Sequence, residues 1–335
     1  MKAAVIESGK LSVKEINKPE LTEKGAIIKV KGCGLCGSDI VKLITGSAKD
    51  GKVLGHEVVG EIVEIDSDTN FKVGDRVVLG HHIPCFDCTY CKSENYSMCK
   101  EFKQTNIFPG GFADYIFASE RHLQYTAFKP SGDISDEEAS FMEPLGCCVR
   151  AVRRTGLAKG SKVLVIGLGS VGLLMGQAAK AFGYEVYGSD LLEERIELSK
   201  KLGFKNSFIS KNADETSELI KKEVSEIGVD GIFMTSGSDK TFDLALKSVR
   251  DGGTILVFSS VKTDAGYTNN DIYYRELKIM GSYSPAPVDL QTSLKLLETK
   301  EVKVEGLSTH YELGMLNEAI ADTTSNKIIK AYINL

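Results

Sequence analysis

Residues 162–183 read KVLVIGLGSVGLLMGQAAKAFG, and this stretch decides the fold. A short apolar strand pattern leads directly into Gly167, Gly169 and Gly172, which have the spacing G-x-G-x-x-G, and an amphipathic helix pattern follows at once. The first glycine permits a tight turn, the second lets the backbone approach a pyrophosphate, and the third lets the helix pack on the strand. The stretch predicts a phosphate-binding loop in an α/β domain. The alternative is a glycine-rich turn that binds nothing.

The residues around this loop indicate which dinucleotide it binds. Ser170 and Val171 open the helix, whose positive N-terminal end receives the phosphate charge. Asp190 ends the next strand, EVYGSD, where a carboxylate accepts hydrogen bonds from both adenosine-ribose hydroxyls and repels a 2′-phosphate. The sequence thus predicts NAD rather than NADP. Arg195, five residues on, either borders the adenosine or is a solvated helix residue, and the sequence leaves both open.

Outward from the loop, short apolar segments alternate with helix-compatible stretches. The segments are KVLVIG, EVYGSD, GIFMTSG, TILVFSS and KIMGSYS. This alternation is typical of a doubly wound parallel sheet. Residues 26–114 instead contain strands with alternating apolar side chains, which predict a mostly antiparallel β unit. Helical periods follow in SDEEASFMEPLGCCVRAVRRTG, with Ser135 or Asp136 as the cap, and the tail after residue 289 predicts one more helix and a final strand, KIIKAYINL.

The composition is that of an ordinary globular protein of the cytoplasm. The 335 residues are 42% hydrophobic and 26% charged, enough for a substantial core and for two domains. No apolar run approaches the ~18–20 residues of a membrane span, and the N-terminal residues lack the apolar core of a signal peptide. A net charge of −5 without a basic stripe argues against nucleic acid and anionic membranes as partners. Small molecules are the expected partners.

Four of the eight cysteines lie close together in the stretch PCFDCTYCKSENYSMC. They have the spacing C-x2-C-x2-C-x7-C and are Cys85, Cys88, Cys91 and Cys99. In a reducing compartment such a cluster is more often a metal site than a set of disulfides. An iron–sulfur cluster is the rival, but the ferredoxin run has its fourth cysteine after three residues and before a proline. The spacing favours a structural zinc, closed by four thiolates and without a position open to substrate.

The β unit also contains CGSD, with Cys36, and GHE, with His56, twenty residues further on. The order CGSD, GHE, cysteine cluster and glycine-rich loop resembles the zinc-dependent medium-chain dehydrogenase/reductase family along essentially the whole chain, closest to its sorbitol, polyol and threonine dehydrogenase-like branch. The resemblance implies an α/β protein with a mainly β, GroES-like catalytic domain and a Rossmann domain. It places the first domain at residues 1–149, with 289–335 returning to it, and the NAD-binding domain at residues 150–288.

The resemblance also implies a second, catalytic zinc. Its ligands in this chain would be Cys36 and His56, with Glu143 of FMEPLGCCVRAV as the third, either directly or through a water molecule, which is the polyol pattern. A zinc with one open position acts as a Lewis acid toward an alcohol oxygen, so that hydride can leave for the nicotinamide. Cys147 and Cys148 are rival ligands that we expect to pack as small buried residues instead.

Three residues near that zinc carry implied roles. Ser38 matches the hydroxyl that takes the alcohol proton, while Asp39 and Glu57 match carboxylates that orient the histidine or exchange onto the ion. The sequence departs from the family at Val41, where many members have a proton-relaying histidine, so that ribose hydroxyls, water or Lys42 would replace it. It departs again in GSYSPAP, which has Ser284 and Pro285 where sorbitol-specific enzymes carry Arg and Tyr.

The resemblance therefore predicts an NAD-dependent dehydrogenase with two zinc ions per chain. Its substrate would be a secondary alcohol, or the matching ketone, of a polyol, sugar, cyclitol or amino alcohol, and it would form a homodimer or homotetramer. The alternatives are a zinc-independent, quinone-reductase-like member of the superfamily, which lacks both sets of metal ligands, and a zinc-thiolate redox or nucleic-acid-binding module. A count of bound zinc separates these readings: two, none or one.

Overall fold

The computed structural model describes residues 1–259 and 268–335. The strands are β1 Lys2–Glu7, β2 Lys10–Glu15, β3 Gly25–Gly34, β4 Glu57–Asp66, β5 Arg76–Leu79, β6 Tyr115–Ser119, β7 Ala127–Phe128, β8 Lys162–Ile166, β9 Glu185–Asp190, β10 Asn206–Ile209, β11 Val229–Met234, β12 Val249–Val257, β13 Lys278–Gly281, β14 Ser308–Glu312 and β15 Lys330–Asn334. The α-helices are α1 Gly37–Ile44, α2 Thr89–Lys92, α3 Glu120–Tyr125, α4 Asp136–Ser140, α5 Met142–Thr155, α6 Ser170–Ala181, α7 Glu193–Lys201, α8 Ala213–Glu223, α9 Asp239–Ser248, α10 Asn269–Tyr273, α11 Pro287–Glu298 and α12 Leu316–Thr324.

Six strands form one parallel sheet in the order β10-β9-β8-β11-β12-β13. Its central strand β8 has four consecutive buried apolar residues after Lys162, as expected where helices cover both faces. The five segments named from the sequence lie in this sheet, which confirms the doubly wound parallel sheet. The last residue of TILVFSS, Ser260, lies outside the described residues. The short strand β10 was not predicted.

A second sheet has seven strands and is mostly antiparallel. Its order is β14-β15-β3-β4-β5-β7, with β6 also paired to β3. Strand β3 is long and central, and its residues Ala26, Ile27 and Ile28 are fully buried. The C-terminal strand β15 pairs antiparallel with β3, with Ile333 opposite Cys33. The last part of the chain therefore completes the sheet that the N-terminal part begins.

The chain divides into two compact units, each with its own apolar core. One unit contains residues 1–146, 285–300 and 304–335, and the other contains 147–284 and 301–303. The boundaries inferred from the resemblance, at 149/150 and 288/289, stay a prediction. Among the described residues, none of the helices has the length and apolarity needed to cross a membrane.

The structure decides one alternative that the sequence left open and adds two elements to another expectation. Ser135, and not Asp136, is the N-cap of α4, because its side chain accepts a 3.0 Å hydrogen bond from Glu138 N while the Glu138 carboxylate accepts one from Ser135 N. The tail contains β14 and α12 in addition to the predicted helix and strand. Strand β14 has only one buried residue, Tyr311, so it lacks the apolar alternation that predicts a strand.

Candidate functional site

Cys36 is held at the start of a helix. It is the N-cap residue of α1, and its Sγ accepts hydrogen bonds from Ser38 N at 3.5 Å and from Ser38 Oγ at 3.3 Å. The sulfur is therefore fixed at the N-terminus of α1, in a position from which it can serve as a metal ligand. Ser38 thus lies beside the sulfur, and its role as the hydroxyl that receives the substrate proton stays a prediction.

His56 precedes strand β4 and is buried next to Asp39. The distance from His56 Nδ1 to Asp39 Oδ1 is 3.3 Å, and both side chains are at least nine-tenths buried. Burial alone would lower the pKa of His56, but the Asp39 carboxylate and the Cys36 sulfur outweigh it and raise that pKa well above its usual value. Burial raises the pKa of Asp39, but the charge of His56 outweighs this and lowers it overall. Because Asp39 faces Nδ1, it fixes the ring and leaves Nε2 for a metal.

Glu57, the first residue of β4, is the third member of this set. It is 1% exposed, and its Oε2 lies 2.5 Å from Nζ of Lys330, which is 4% exposed. Burial lowers the pKa of Lys330, but Glu57 and Cys36 outweigh this and raise it. Lys330 comes from strand β15 and also donates to Leu35 O at 3.2 Å. Two segments that are far apart in the sequence therefore form one buried ion pair beneath the site.

Ligand atoms of Cys36, His56 and Glu57 all lie within 4.8 Å of one another. Sulfur, imidazole and carboxylate from three residues are a donor set that suits zinc, and three protein ligands leave a fourth position for a substrate. Oε2 of Glu57 is paired with Lys330, whereas Oε1 has no hydrogen-bond partner among the described residues and keeps its lone pairs available. The residues present therefore fit a zinc ion, which Cys36, His56 and Glu57 would hold.

Glu143, the predicted third ligand, lies near this set but is not in the group of three. It is the second residue of α5, is 5% exposed, and its Oε1 lies 4.0 Å from Nδ1 of His81. Its role as a ligand stays a prediction. Its rival Cys148 is buried and directs its thiol to Val171 O at 3.7 Å, as a packed residue does, while Cys147 is half-buried.

Two histidines that the sequence analysis did not single out lie beside the metal set. The ring centroid of His81 is 4.5 Å from that of His56 and 3.9 Å from that of His82. Burial and the neighbouring His56 lower the pKa of His81 well below its usual value, so it is neutral. The dipeptide follows strand β5 in GHHIPC, and paired histidines just ahead of a cysteine cluster were the available signal.

The four-cysteine cluster has the geometry of a closed zinc site. Sγ of Cys91 lies 3.8 Å from Sγ of Cys85 and 3.6 Å from Sγ of Cys88. Four sulfurs at ~2.3 Å around a tetrahedral zinc stand about 3.8 Å apart, whereas a disulfide requires about 2.05 Å. Cys99 completes the group, within 4.8 Å of the others, and none of the four is in a disulfide. The predicted structural zinc cluster is confirmed as a donor set.

Backbone hydrogen bonds support different protonation within this cluster. Burial raises the pKa of Cys91 to about 12. Burial also raises the pKa of Cys99, but backbone donors outweigh it and lower that pKa to about 7, among them Cys85 N at 3.4 Å from its sulfur. The cluster therefore already contains one sulfur that is easily ionised, and a metal ion would ionise the rest.

The glycine-rich loop lies between β8 and α6. Gly167 has φ +93°, which a residue with a side chain rarely adopts, and a Cβ on Gly172 would stand 1.9 Å from Gly167 O. Helix α6 begins after Gly169, which as the N-cap residue has no side chain to cap the first turn. Its N–H groups therefore remain available for a phosphate, with Ser170 and Val171 at the opening.

Asp190 ends β9 beside this loop. Its Oδ2 accepts a 2.6 Å hydrogen bond from Leu168 N, inside the glycine motif, and its Oδ1 accepts a 3.0 Å bond from Leu192 N. Arg195 is 4% exposed on α7, so the solvated-helix reading is wrong. Burial lowers the pKa of Arg195, opposed by the charges of Glu194 and Asp190. The carboxylate therefore lies at the loop, with a guanidinium nearby.

The chain is similar to known proteins in both sequence and fold. The family described as "Alcohol dehydrogenase GroES-like domain" matches residues 22–127, and the one described as "Zinc-binding dehydrogenase" matches residues 170–299. A sorbitol dehydrogenase of Halalkalibacterium halodurans is 31% identical over 334 residues, which is 97% of this chain and 96% of the relative. A probable D-xylulose reductase A of Neosartorya fischeri is 30% identical over 329 residues, 94% of this chain and 91% of the relative.

A solved structure extends the likeness to the backbone. Galactitol-1-phosphate dehydrogenase from Escherichia coli matches with a TM-score of 0.88 and 26% identity over 100% of both chains. The N-terminal matches confirm the GroES-like domain with its mixed sheet, and the second family covers most of the six-stranded Rossmann-type sheet. The chain therefore belongs to the zinc-binding medium-chain dehydrogenase family and is an oxidoreductase of its alcohol and polyol dehydrogenase branch.

Proposed function

We propose that this protein transfers a hydride between NAD and a secondary alcohol, or the matching ketone, of a polyol, sugar, cyclitol or amino alcohol. The observation that carries the proposal is the group Cys36, His56 and Glu57, a zinc-type donor set in a dehydrogenase of the polyol branch. The relatives support the substrate class, because the names of two of them refer to sorbitol and xylulose and that of a third to galactitol-1-phosphate.

We propose that two zinc ions are bound per chain. Cys36 and His56 would hold the catalytic ion, with Glu57 and Glu143 as the carboxylates that complete or support its ligand set. The second ion would be held by the four cysteines, 85, 88, 91 and 99, in the neighbouring lobe. When bound, the catalytic zinc supplies Lewis acidity toward the alcohol oxygen, and NAD accepts the hydride.

The residues around the catalytic set would orient His56 and carry the substrate proton away. Asp39 holds the His56 ring through Nδ1 and balances its charge. Ser38 Oγ, 3.3 Å from the Cys36 sulfur, would take the alcohol proton. Val41 is 47% exposed on α1 and cannot relay a proton. Lys42, which follows Val41 on α1, would act with water as the exit for that proton.

NAD is the proposed dinucleotide. Gly167, Gly169 and Gly172 would form the turn beneath the pyrophosphate, and the N–H groups at Ser170 and Val171 would bind it. Asp190 would accept the ribose hydroxyls and repel a 2′-phosphate, and Arg195 would border the adenosine.

We also propose a homodimer or homotetramer in the cytoplasm. Strand β13 is the edge of the parallel sheet and pairs only with β12 among the described residues, so its outer edge is available to a second copy. The eight cysteines form no disulfide, in keeping with a reducing compartment. Light scattering on purified protein tests the oligomeric state, and a monomer would contradict this part of the proposal.

The central experiment combines metal analysis with a substrate panel. We expect two zinc ions per chain, and NADH formation with at least one member of a panel of polyols, sugars, inositols and threonine. A protein with one zinc ion and no activity on any panel member would contradict the proposal, as would full activity after both metals are removed.

A further inference from the structure

The imidazole of His81 is placed between the two groups that the proposed metal chemistry connects. Its ring lies 4.5 Å from the ring of His56, and its Nδ1 faces Oε1 of Glu143 at 4.0 Å. The His81 and Glu143 side chains are 11% and 6% exposed, so little water competes for this contact. The 4.0 Å separation is longer than a hydrogen bond, and Nδ1 is a ring nitrogen that faces the buried carboxylate from close by.

His81 is held through its backbone carbonyl and through its ring. His122 Nε2 donates to the His81 carbonyl at 3.1 Å, and His122 Nδ1 in turn accepts from Ser119 N at 3.2 Å, which fixes that tautomer. On its other side His81 packs against the ring of His82. The backbone of His81 is therefore anchored and its imidazole packs between the rings of His56 and His82, which is the kind of support that a residue orienting another side chain requires.

The contacts of His81 continue through His82 and Phe102 to the cysteine lobe, the segment that contains Cys85, Cys88, Cys91 and Cys99. His82 Nδ1 donates to Thr105 O at 2.6 Å, and the His82 ring lies 5.0 Å from the ring of Phe102. Phe102 is fully buried and packs in one apolar cluster with Cys91 and Cys99. A continuous row of rings, His56, His81, His82 and Phe102, thus connects the catalytic donor set to the structural one.

We propose that His81 is a positioning residue for Glu143: its Nδ1–H directs the carboxylate toward the metal set of Cys36 and His56, and the cysteine lobe keeps His81 in place through His82 and Phe102. The inference rests on the proposed function, because it assumes that Glu143 binds or supports the catalytic zinc. It adds a residue, and a physical link between the two zinc sites, that the family pattern in the sequence does not indicate.

The test compares two substitutions at one position. His81→Phe keeps a ring that can pack on His82 but removes the donor, whereas His81→Asn keeps a donor on a short side chain. We expect His81→Phe to weaken the binding of the catalytic zinc by roughly tenfold to a hundredfold, measured by competition with a chelator, and to lower kcat more than it raises KM. His81→Asn should recover most of the zinc affinity.

Matched controls separate this inference from general destabilisation. His310→Phe makes the same change at a histidine on β14 whose side chain is 49% exposed, and it should leave zinc affinity unchanged. In a Glu143→Ala background, His81→Phe should have no further effect on zinc affinity, because the carboxylate that it orients is gone. An equal effect of His81→Phe in both backgrounds, or no recovery in His81→Asn, would overturn the inference.

These outcomes also separate failure of the inference from failure of the proposed function. If Glu143→Ala retains two tightly bound zinc ions and full activity, the proposed role of Glu143 is wrong and His81 has nothing to orient. If Glu143→Ala loses the catalytic zinc while His81→Phe behaves as the wild type, the proposed function stands and the inference about His81 is refuted.

Discussion

Asp190→Asn is expected to change both the cofactor preference and the stability of the protein, because the Asp190 carboxylate has two sets of partners. In the absence of cofactor it accepts hydrogen bonds from Leu168 N at 2.6 Å and from Leu192 N at 3.0 Å, and so ties strand β9 to the glycine-rich loop. With NAD bound, the same oxygens would accept the ribose hydroxyls. The asparagine keeps one acceptor oxygen and loses the charge, so both the loop and the cofactor preference should change.

The expected change in cofactor preference follows from Coulomb's law. A carboxylate about 5 Å from a 2′-phosphate is repelled by ~0.8 kcal/mol per pair of unit charges in water and by ~3 kcal/mol at an effective dielectric constant of 20. Because a tenfold ratio corresponds to ~1.4 kcal/mol, removing the charge should shift the ratio of kcat/KM for NAD and NADP toward NADP by roughly tenfold to a hundredfold.

The expected change in stability comes from the loop. The asparagine amide nitrogen cannot accept from a backbone N–H, so one charge-assisted hydrogen bond is lost, which costs about 1.5 kcal/mol at this half-buried position. For a chain or domain of this size that corresponds to a decrease in Tm of about 3–6 °C without cofactor. The difference from the wild type should be visible by calorimetry before any nucleotide is added.

Steady-state kinetics with both cofactors, on one alcohol substrate, check the first expectation. Asp214→Asn is the matched control, because Asp214 is an exposed acid of α8 that pairs with Lys247 and lies outside the loop. An unchanged cofactor ratio in Asp190→Asn would refute the placement of Asp190 at the ribose. A shifted ratio with an unchanged Tm would refute only the role of the carboxylate in ordering the loop.

Further substitutions test the metal sites and the histidine network. Cys91→Ser should leave one zinc ion per chain and lower Tm or solubility far more than it lowers kcat of the folded fraction. A closed four-thiolate site contributes folding free energy but has no coordination position open to substrate. A stable Cys91→Ser protein that has lost kcat would contradict this expectation. Glu143→Ala should lower the zinc content towards one ion per chain, and Glu143→Cys should keep the metal but change turnover. If zinc is lost in Cys147→Ser and retained in Glu143→Ala, Cys147 is the ligand and not Glu143. Burial lowers the pKa of His122 to about 4, whereas a histidine in an unfolded chain has a pKa of ~6.5. Between about pH 6.5 and about pH 4 the unfolded chain therefore binds more protons than the folded chain, so the free energy of unfolding decreases as the pH falls through this range. His122→Gln, which preserves a capping side chain without titrating, should make Tm less dependent on pH from about 6.5 to 4, and an unchanged pH profile would contradict the neutral, buried state of His122.

The parts that the sequence predicted are those whose residues lie close together along the chain. The glycine motif needs only a strand, a turn and a helix in succession, and Gly167 and Gly172 have the backbone and the close approach that this pattern requires. The cysteine cluster closes within fifteen residues, so its spacing nearly determines its donor set. Asp190 was placed for the same reason, because the end of one strand lies beside the loop that follows its neighbour.

Short or half-exposed elements were not predicted, because their residues carry little pattern. Strand β10 has four residues, of which only Ser207 and Phe208 are buried, and β14 has a single buried side chain. Each is a strand because a neighbour pairs with it, β9 in the first case and β15 in the second. Tertiary pairing of this kind overrides local preference, and no window along the sequence contains it.

The environment of the catalytic donor set was least accessible to sequence reasoning, and Lys330 shows the physical reason. A lysine near the end of a chain is ordinarily solvated, because burying an isolated ammonium costs several kcal/mol. Lys330 is buried only because β15 pairs with β3, which brings its Nζ to the Leu35 carbonyl and to Glu57. The ammonium compensates the carboxylate that faces the metal set, and the carboxylate compensates the ammonium. Each buried charge is stable only because the other is present. The burial of Lys330 or Glu57 therefore cannot be predicted from either residue alone.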